Sequence, residues 1–273
     1  MSNTDLNELI KIARRYNNKK RSYLLVNTLQ AKHVPARPEK TIELFTELGI
    51  KIKNNYPNAH MVIGFAETAT AIGIQTAVAI GEDTIYINTT REDFVPEKYC
   101  ICFQEEHSHA VEQKLYIKDF TEYLKITDEI VLIDDEISTG KTLFNIIQAM
   151  RTEIPELAER DFVVGSVINR LTDERRDFFE HHHIYFVSLY DVQWTDEMLE
   201  KDFNNLTAPS IMPNVTDYSN PLKVYRCCFD DTRGLVNIKE YLENCIKISQ
   251  RVMKNINFFE YKKVLFLAII FIK

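Results

Sequence analysis

A chain of 273 residues and 32.0 kDa, 45% of them hydrophobic, is long enough to bury a full core and to hold one large domain, or one domain and a fragment of another. Its formal net charge of -7 and pI near 5.6 argue against nucleic acid as the main partner, because binding a phosphate backbone needs a basic face, and leave room only for a local basic pocket. No apolar run reaches the roughly 18 residues of a membrane helix, Met1 to Leu6 lack the pattern of a secretory leader, and five cysteines without a C-x-x-C pair suit free thiols, so a cytoplasmic setting is expected.

Asp5 to Arg15 predicts a short amphipathic helix, and Tyr23 to Val26 a strand. The two prolines of Ala31 to Pro38 make that segment rigid and extended, with Lys32 and His33 either binding an anion or forming a solvated basic loop. Glu39 to Asn55 reads as a second helix ended near Pro57, and His60 to Ile63 as a buried strand. Gly64 to Ala71 is a small-residue turn opening a helix through Ile80, a strand-to-helix junction able to bind an anion at its amides. Glu67 within it also fits as a first-turn acid stabilised by the helix dipole. Thr84 to Asn88 is the next strand, and Arg91, just past its end, is placed to hold a phosphate through its planar guanidinium.

Glu92 to Lys114 has no sustained period, which suggests a long functional loop or a strand pair. It carries Glu105-Glu106-His107-Ser108-His109. His107 or His109 there fits a general acid or a contact to a second substrate, oriented by Glu105 and Glu106. A zinc site from Glu106, His107 and His109 is weaker for want of helical i, i+4 spacing, and a solvated loop competes with both.

Ile130 to Ile133 is short, apolar and β-branched, as a strand buried on both faces requires. From Lys141 the period changes to helical, with Leu143, Ile146, Ile147 and Met150 on one face, so Ser138, Thr139, Gly140, Lys141 and Thr142 must form the turn between. Its amides and the positive end of the helix dipole favour a dianionic phosphate, Gly140 permits close approach, and the hydroxyls of Ser138, Thr139 and Thr142 add donors. Asp134 and Asp135 at the strand end suit vicinal sugar hydroxyls, or a hard divalent cation held through water. One ligand carrying both phosphate and diol follows, and ribose 5-phosphate fits. Gly140-Lys141-Thr142 also matches the tail of a nucleotide P-loop, but Asp135 stands where the first glycine of that motif belongs.

Phe162 to Ile168 and Ile184 to Leu189 are further strands, joined by the charged stretch Arg170 to His183. His181-His182-His183 reads as an exposed turn, since consecutive side chains seldom converge on one metal ion. Trp194, after the last core strand, suits either covering a planar base or packing. Asn204 to Asn220 is linker-like in composition. Adjacent Cys227 and Cys228 make a poor metal pair, because neighbouring strand residues face opposite ways. Beyond them come Asp230 to Gly234, a helix with Tyr241, Cys245, Ile248 and Val252 on one face, and a final apolar run Val264 to Ile272 that would leave an exposed edge.

The run of four apolar residues, two acids and Thr139-Gly140-Lys141-Thr142 resembles the phosphoribosyl pyrophosphate (PRPP) motif of type I phosphoribosyltransferases. The resemblance implies an α/β fold, a Rossmann-like parallel sheet flanked by helices. It places Asp134 and Asp135 at the ribose hydroxyls, with magnesium as the cofactor held by them through water, and Ser138 to Thr142 around the 5-phosphate. Ala66, Glu67 and Thr68 fall in the leaving-group loop, Arg91 near pyrophosphate, and His107 and His109 in the place of a mobile catalytic loop.

With Lys32 to Pro35, Gly64 to Ala69, Thr89 to Arg91 and Glu105 to His109, the chain is similar to the phosphoribosyltransferase-like proteins of bacterial tellurium-resistance gene clusters. That likeness implies a PRPP-binding domain over residues 1–202, a linker over 203–221, and over 222–273 the start of a C-terminal domain whose remainder is missing. The implied partners are small molecules, PRPP and a nitrogenous base or amine, with a homodimer allowed and neither nucleic acid nor membrane. The implied activity is phosphoribosyl transfer with release of pyrophosphate, a place in nucleotide metabolism. A PRPP-sensing regulator needs only Asp134, Asp135 and the phosphate turn, and a partner-binding module needs no PRPP affinity at all. Ser138 stands where hypoxanthine-guanine enzymes have an aspartate, which argues mildly against that purine.

Overall fold

Nearly continuous β-branched runs cannot face water on either side, so they seek a sheet covered by helices on both faces. A computed structural model describes residues 5–14, 23–32, 34–66, 68–91, 100–103, 113–117, 120–205 and 235–253. Its first elements differ from the expected helix over Asp5 to Arg15. Asp5 caps a single turn, α1 (Leu6–Leu9), by accepting from Asn7 N at 3.0 Å, and the chain then turns into strand β1 (Ile10–Arg14). β1 pairs antiparallel with β2 (Tyr23–Asn27), Ile12 opposite Leu25. Ile10 and Ile12 satisfy a period of two as well as a helical one, and a partner strand decides between them.

Next come α2 (Pro38–Asn55), β3 (Met61–Gly64), α3 (Thr70–Ile80) and β4 (Ile85–Asn88), close to the expected bounds. Pro38 opens α2 at a position where a missing N–H costs nothing. The aperiodic region resolves into a strand pair, β5 (Cys100–Phe103) and β6 (Gln113–Tyr116), followed by the short α4 (Phe120–Tyr123). β7 (Ile130–Ile137) runs four residues past its apolar half and so carries Asp134, Asp135 and Glu136 within the strand. The chain continues as α5 (Lys141–Glu153), β8 (Phe162–Asn169), α6 (Asp173–Glu180), β9 (Ile184–Asp191), α7 (Asp196–Asn204), β10 (Val236–Asn237) and α8 (Ile238–Met253). α6 forms inside the charged stretch, capped by Thr172 and anchored by the buried Phe179, and α7 runs through Asn204. On α8 Ile248 is 38% exposed, and Ser249 is buried in place of it.

The main sheet has the order β10-β4-β3-β7-β8-β9, with every pair parallel except β10 on β4. From β3 the chain steps one way to β4, and from β7 the other way to β8. Right-handed crossovers therefore put α3 and α5 on opposite faces and open a crevice between the C-terminal ends of β3 and β7. β3 ends at Gly64, opposite Ile133, whereas β7 continues alongside β8 as far as Ile137 and Asn169. The three acids thus lie past the end of β3, with Asp134 and Glu136 on one face of β7 and Asp135 on the other.

Leu44, Phe45, Leu48 and Ile52 of α2 are buried, and Ile52 meets Ile133 over Gly165, where an added Cβ would lie 2.8 and 2.6 Å from their methyls. Among the described residues no helix is long and apolar enough to cross a membrane. Residues 206–234 and 254–273, with Cys227, Cys228, the Asp230 to Gly234 turn and the final apolar run, lie outside the described residues.

α2 and α3 touch at Gly49, where an added Cβ would sit 2.6 Å from Ala79 Cβ and 2.7 Å from the Thr76 carbonyl. Alanine improves helix propensity by ~1 kcal/mol, but overpacking costs ~1–3 kcal/mol. Gly49→Ala is therefore expected to lower unfolding stability by ~1 kcal/mol in urea titration, and a more stable variant would show that the two helices are not in close contact there.

Candidate functional site

Two strand-to-helix junctions face each other across the crevice, and neither helix has a side-chain cap. α3 starts from Ala69 and α5 from Gly140, without a side-chain hydrogen bond at either N-cap, whereas Thr172 and Thr195 cap α6 and α7. A cap is worth ~1 kcal/mol. α2 lacks one too, but at the two junctions beside the acids its absence leaves first-turn amides for an anion, apart from that of Lys141, which donates to Thr139 Oγ1 at 3.4 Å.

At the second junction Gly140 has φ 66, a left-handed conformation suited to glycine, and an added Cβ would lie 2.6 Å from the ring of Phe179. Residues Asp134 and Glu136 to Leu143 line a cradle of about 100 Å³ there. Arg175 braces the turn by donating to Thr139 O at 3.0 Å, its guanidinium lying 4.9 and 5.0 Å over Phe178 and Phe179. Ser138, Thr139, Gly140, Lys141 and Thr142 are thus together, as the sequence predicts.

Each of the three acids is satisfied in a different way. Asp134 Oδ1 accepts the Asp135 amide at 2.9 Å. Desolvation among packed atoms, reinforced by the adjacent Asp135 carboxylate, holds the Asp134 carboxyl well above its ordinary pKa although part of the residue still meets solvent. Asp135 accepts from Thr68 Oγ1 and from Gln30 Nε2, both at 3.1 Å. Glu136 binds Arg170 Nη1 at 2.7 Å.

The 64–69 turn is tied on both sides. Phe65 N donates to Ile133 O at 3.1 Å, Thr89 N to Gly64 O at 3.0 Å, and Ala66 N to Thr89 Oγ1 at 2.7 Å. Thr89 Oγ1 in turn donates to Gln113 Oε1 at 2.7 Å, and Thr90 and Lys114 form a β-bridge. Ala66 and Thr68 therefore sit at the crevice, with the Ala66 amide already engaged, while Arg91 is half-buried just past β4. Glu67, His107 and His109 lie outside the described residues, as do His33, Glu105 and Glu106. The stems of the His-bearing segment, Phe103 and Gln113, are placed. Phe103 packs edge-on against Phe65 with ring centroids 6.5 Å apart, so these stems lie beside the turn that follows β3.

Arg170, which sequence reasoning passed over, organises the opposite wall. Its side chain is 4% exposed and donates to Glu136, to Asp196 Oδ1 at 2.6 Å and, through Nε, to Trp194 O at 2.8 Å. Burial works against its charge, but Asp196 and Glu136 together raise its pKa above the ordinary value. Tyr23 Oη also donates to Asp196 Oδ1, at 2.9 Å. The signal was an arginine directly after a buried strand, at the sheet end that holds three acids. Behind it a cavity of about 560 Å³ opens between the turn at Ser138 to Lys141 and Gln193, Trp194 and Thr195.

Among the described residues no three His, Cys, Asp or Glu side chains converge as a metal cage. His181, His182 and His183 form the expected turn, with each ring nitrogen on a separate partner, Asp177 O, Phe178 O and Asp161 Oδ1.

A family model described as phosphoribosyl transferase matches residues 9–204. No curated protein matches the chain. Among solved structures it is similar to adenine phosphoribosyl transferase from Trypanosoma brucei, at 16% identity and TM-score 0.49 over 81% of this chain and 86% of that one. It is also similar to adenine phosphoribosyltransferase from Leishmania tarentolae, at 13% identity and TM-score 0.47 over 70% and 87%. Orotate phosphoribosyltransferase from Aeropyrum pernix matches at 12% identity and TM-score 0.41 over 72% and 93%.

The raised pKa of Asp134 has a thermodynamic consequence. The unfolded chain releases this proton at lower pH than the native one, so stability falls as pH rises from the ordinary carboxylate range through the native value. Asp134→Asn keeps the acceptor for the Asp135 amide and is expected to raise the melting temperature at about pH 7, by roughly 2–4 °C per kcal/mol relieved. The gain should vanish near pH 3, below about the unfolded carboxylate value. A variant that melts lower at about pH 7 would contradict a strained carboxyl.

Proposed function

The chain belongs to the phosphoribosyl transferase family, and on that premise we propose that it binds magnesium PRPP in the crevice between β3 and β7 and transfers the phosphoribosyl group to a planar nitrogenous acceptor. The observation that carries this reading is the pairing of two uncapped helix N-termini with an acid pair between them. One junction takes the 5-phosphate and the other the pyrophosphate, while Asp134 and Asp135 take the ribose hydroxyls that lie between.

Asp135 has both oxygens engaged by Thr68 and Gln30, whereas the Asp134 carboxyl meets its neighbour, through the Asp135 amide and the Asp135 side chain. Hard oxygens without a protein cage suit magnesium carried on the substrate and held through water, which would neutralise charge on the departing pyrophosphate. In the reaction the C1–O bond to pyrophosphate breaks, a C1–N bond to the acceptor forms, and the acceptor nitrogen gives up its proton. The protein supplies positioning and fixed dipoles rather than covalent chemistry. The 560 Å³ cavity beside the phosphate turn holds the acceptor, with Trp194 over its face. Arg91 and the segment bearing His107 and His109 serve the leaving group in this assignment. The segments around residues 32–35, 64–69, 89–91 and 130–142 further support a place beside the phosphoribosyltransferase-like proteins of tellurium-resistance gene clusters.

Isothermal titration with magnesium and PRPP is expected to show one site per chain, weakened roughly tenfold or more by Asp134→Asn combined with Asp135→Asn. Unchanged affinity in the double variant would remove the site assignment. With a panel of planar bases, pyrophosphate release is expected for at least one, and binding without release for any would make the protein a PRPP sensor instead. For an acceptor that reacts, Trp194→Ala should raise its KM roughly tenfold, since base stacking on an aromatic is worth ~1–3 kcal/mol, and leave the PRPP constants near wild type.

A further inference from the structure

Gln30 has no part in the chemistry above, yet it reaches the middle of the crevice from 105 positions away in sequence. Its turn is built to deliver it. Leu29 N donates to Asn27 Oδ1 at 2.9 Å, Gln30 N to Asn27 O at 3.1 Å, and Thr28 N to Leu9 O at 2.8 Å, while Thr41 of α2 donates to Leu29 O at 2.9 Å. Ala31 then leaves the turn with φ 59. Gln30 is 2% exposed, and its Nε2 donates both to Thr68 O at 2.9 Å and to Asp135 Oδ2 at 3.1 Å. Thr68 Oγ1 closes the triangle on Asp135 Oδ1.

These partners set the orientation of the amide, because a flipped group would set its oxygen against two acceptors. The orientation leaves Gln30 Oε1 buried, with no partner among the described residues. An unmatched buried acceptor costs ~1–3 kcal/mol, a cost that an apolar side chain of the same length avoids. That cost offsets much of what the two Nε2 hydrogen bonds contribute, so the amide adds little net stability here, and the two acceptors that it joins belong to opposite sides of the site.

We infer that Gln30 is a positioning residue that ties the carboxylate of Asp135 to the 64–69 turn, so that the acid meeting the ribose and the turn meeting the leaving group are held in one register. The identity of the ligand rests on the functional reading above, but the tie itself does not. Gln30→Met keeps the length and removes the donor. In the ligand-free protein it relieves the unmatched Oε1 but strips a donor from Thr68 O and Asp135, so the melting temperature is expected to move by no more than roughly 5 °C, while amide hydrogen exchange speeds in peptides spanning residues 61–70 and 130–137 and the rest of the sheet keeps its rate. With PRPP it should lower kcat/KM for PRPP roughly tenfold without moving the acceptor KM, and add less than about twofold in an Asp135→Asn background, because the group that it holds is already altered. A lowered melting temperature with faster exchange throughout the sheet would make Gln30 an ordinary core residue and overturn the inference. So would unchanged exchange in both segments. If wild type binds no PRPP while the local exchange response is present, the substrate assignment fails and the tie stands; if wild type binds PRPP and Gln30→Met behaves like it in every readout, only the tie fails.

Discussion

Three consecutive carboxylates at the end of a buried strand are the constraint on which the site is built. Charges of one sign so close together repel, and burial adds to the cost, so each must find its own compensation. Asp134 accepts its neighbour's amide and keeps a raised pKa, Asp135 is held by Thr68 and Gln30, and Glu136 is neutralised by Arg170. The partners come from the β2–α2 turn, the 64–69 turn and the end of β8. Satisfying the acids therefore fixes the positions of the segments that line the crevice.

The same logic separates the parts of the site that are finished from those left open. Arg170 donates through Nε and both Nη atoms to three separate partners, which suits a wall. The helix starts at Ala69 and Gly140 are left without side-chain caps, and Asp134 carries a strained carboxyl, which suits surfaces completed by a ligand. In the proposed reading, a phosphate at each helix start and a diol between them would supply what the protein lacks. Stability given up at these points is recovered in β3, β7 and β8, whose apolar residues are buried along their length.

Much of this was legible in the residues. Runs of Val and Ile bounded by glycine and acids marked the parallel strands, and the switch to helical period at Lys141 located the turn between β7 and α5, because both signals are local. The failures were non-local. Ile10 and Ile12 fit a helix until β2 is there to pair with them. α6 was hidden because Phe178 and Phe179 are its only large apolar residues in an otherwise charged segment. Gln30 and Arg170 act through contacts made 105 and 34 residues away, which no spacing rule reports. The extension of β7 through three charged residues was equally hidden, since only pairing with β8 makes it a strand.

The crystal structure of the complex with magnesium and PRPP tests the account most directly. The account predicts the 5-phosphate on the amides of residues 138–142, the ribose hydroxyls on Asp134 and Asp135, and the pyrophosphate against the 64–69 turn. PRPP bound away from the crevice, or bound in it with the two phosphate ends exchanged between the junctions, would contradict it.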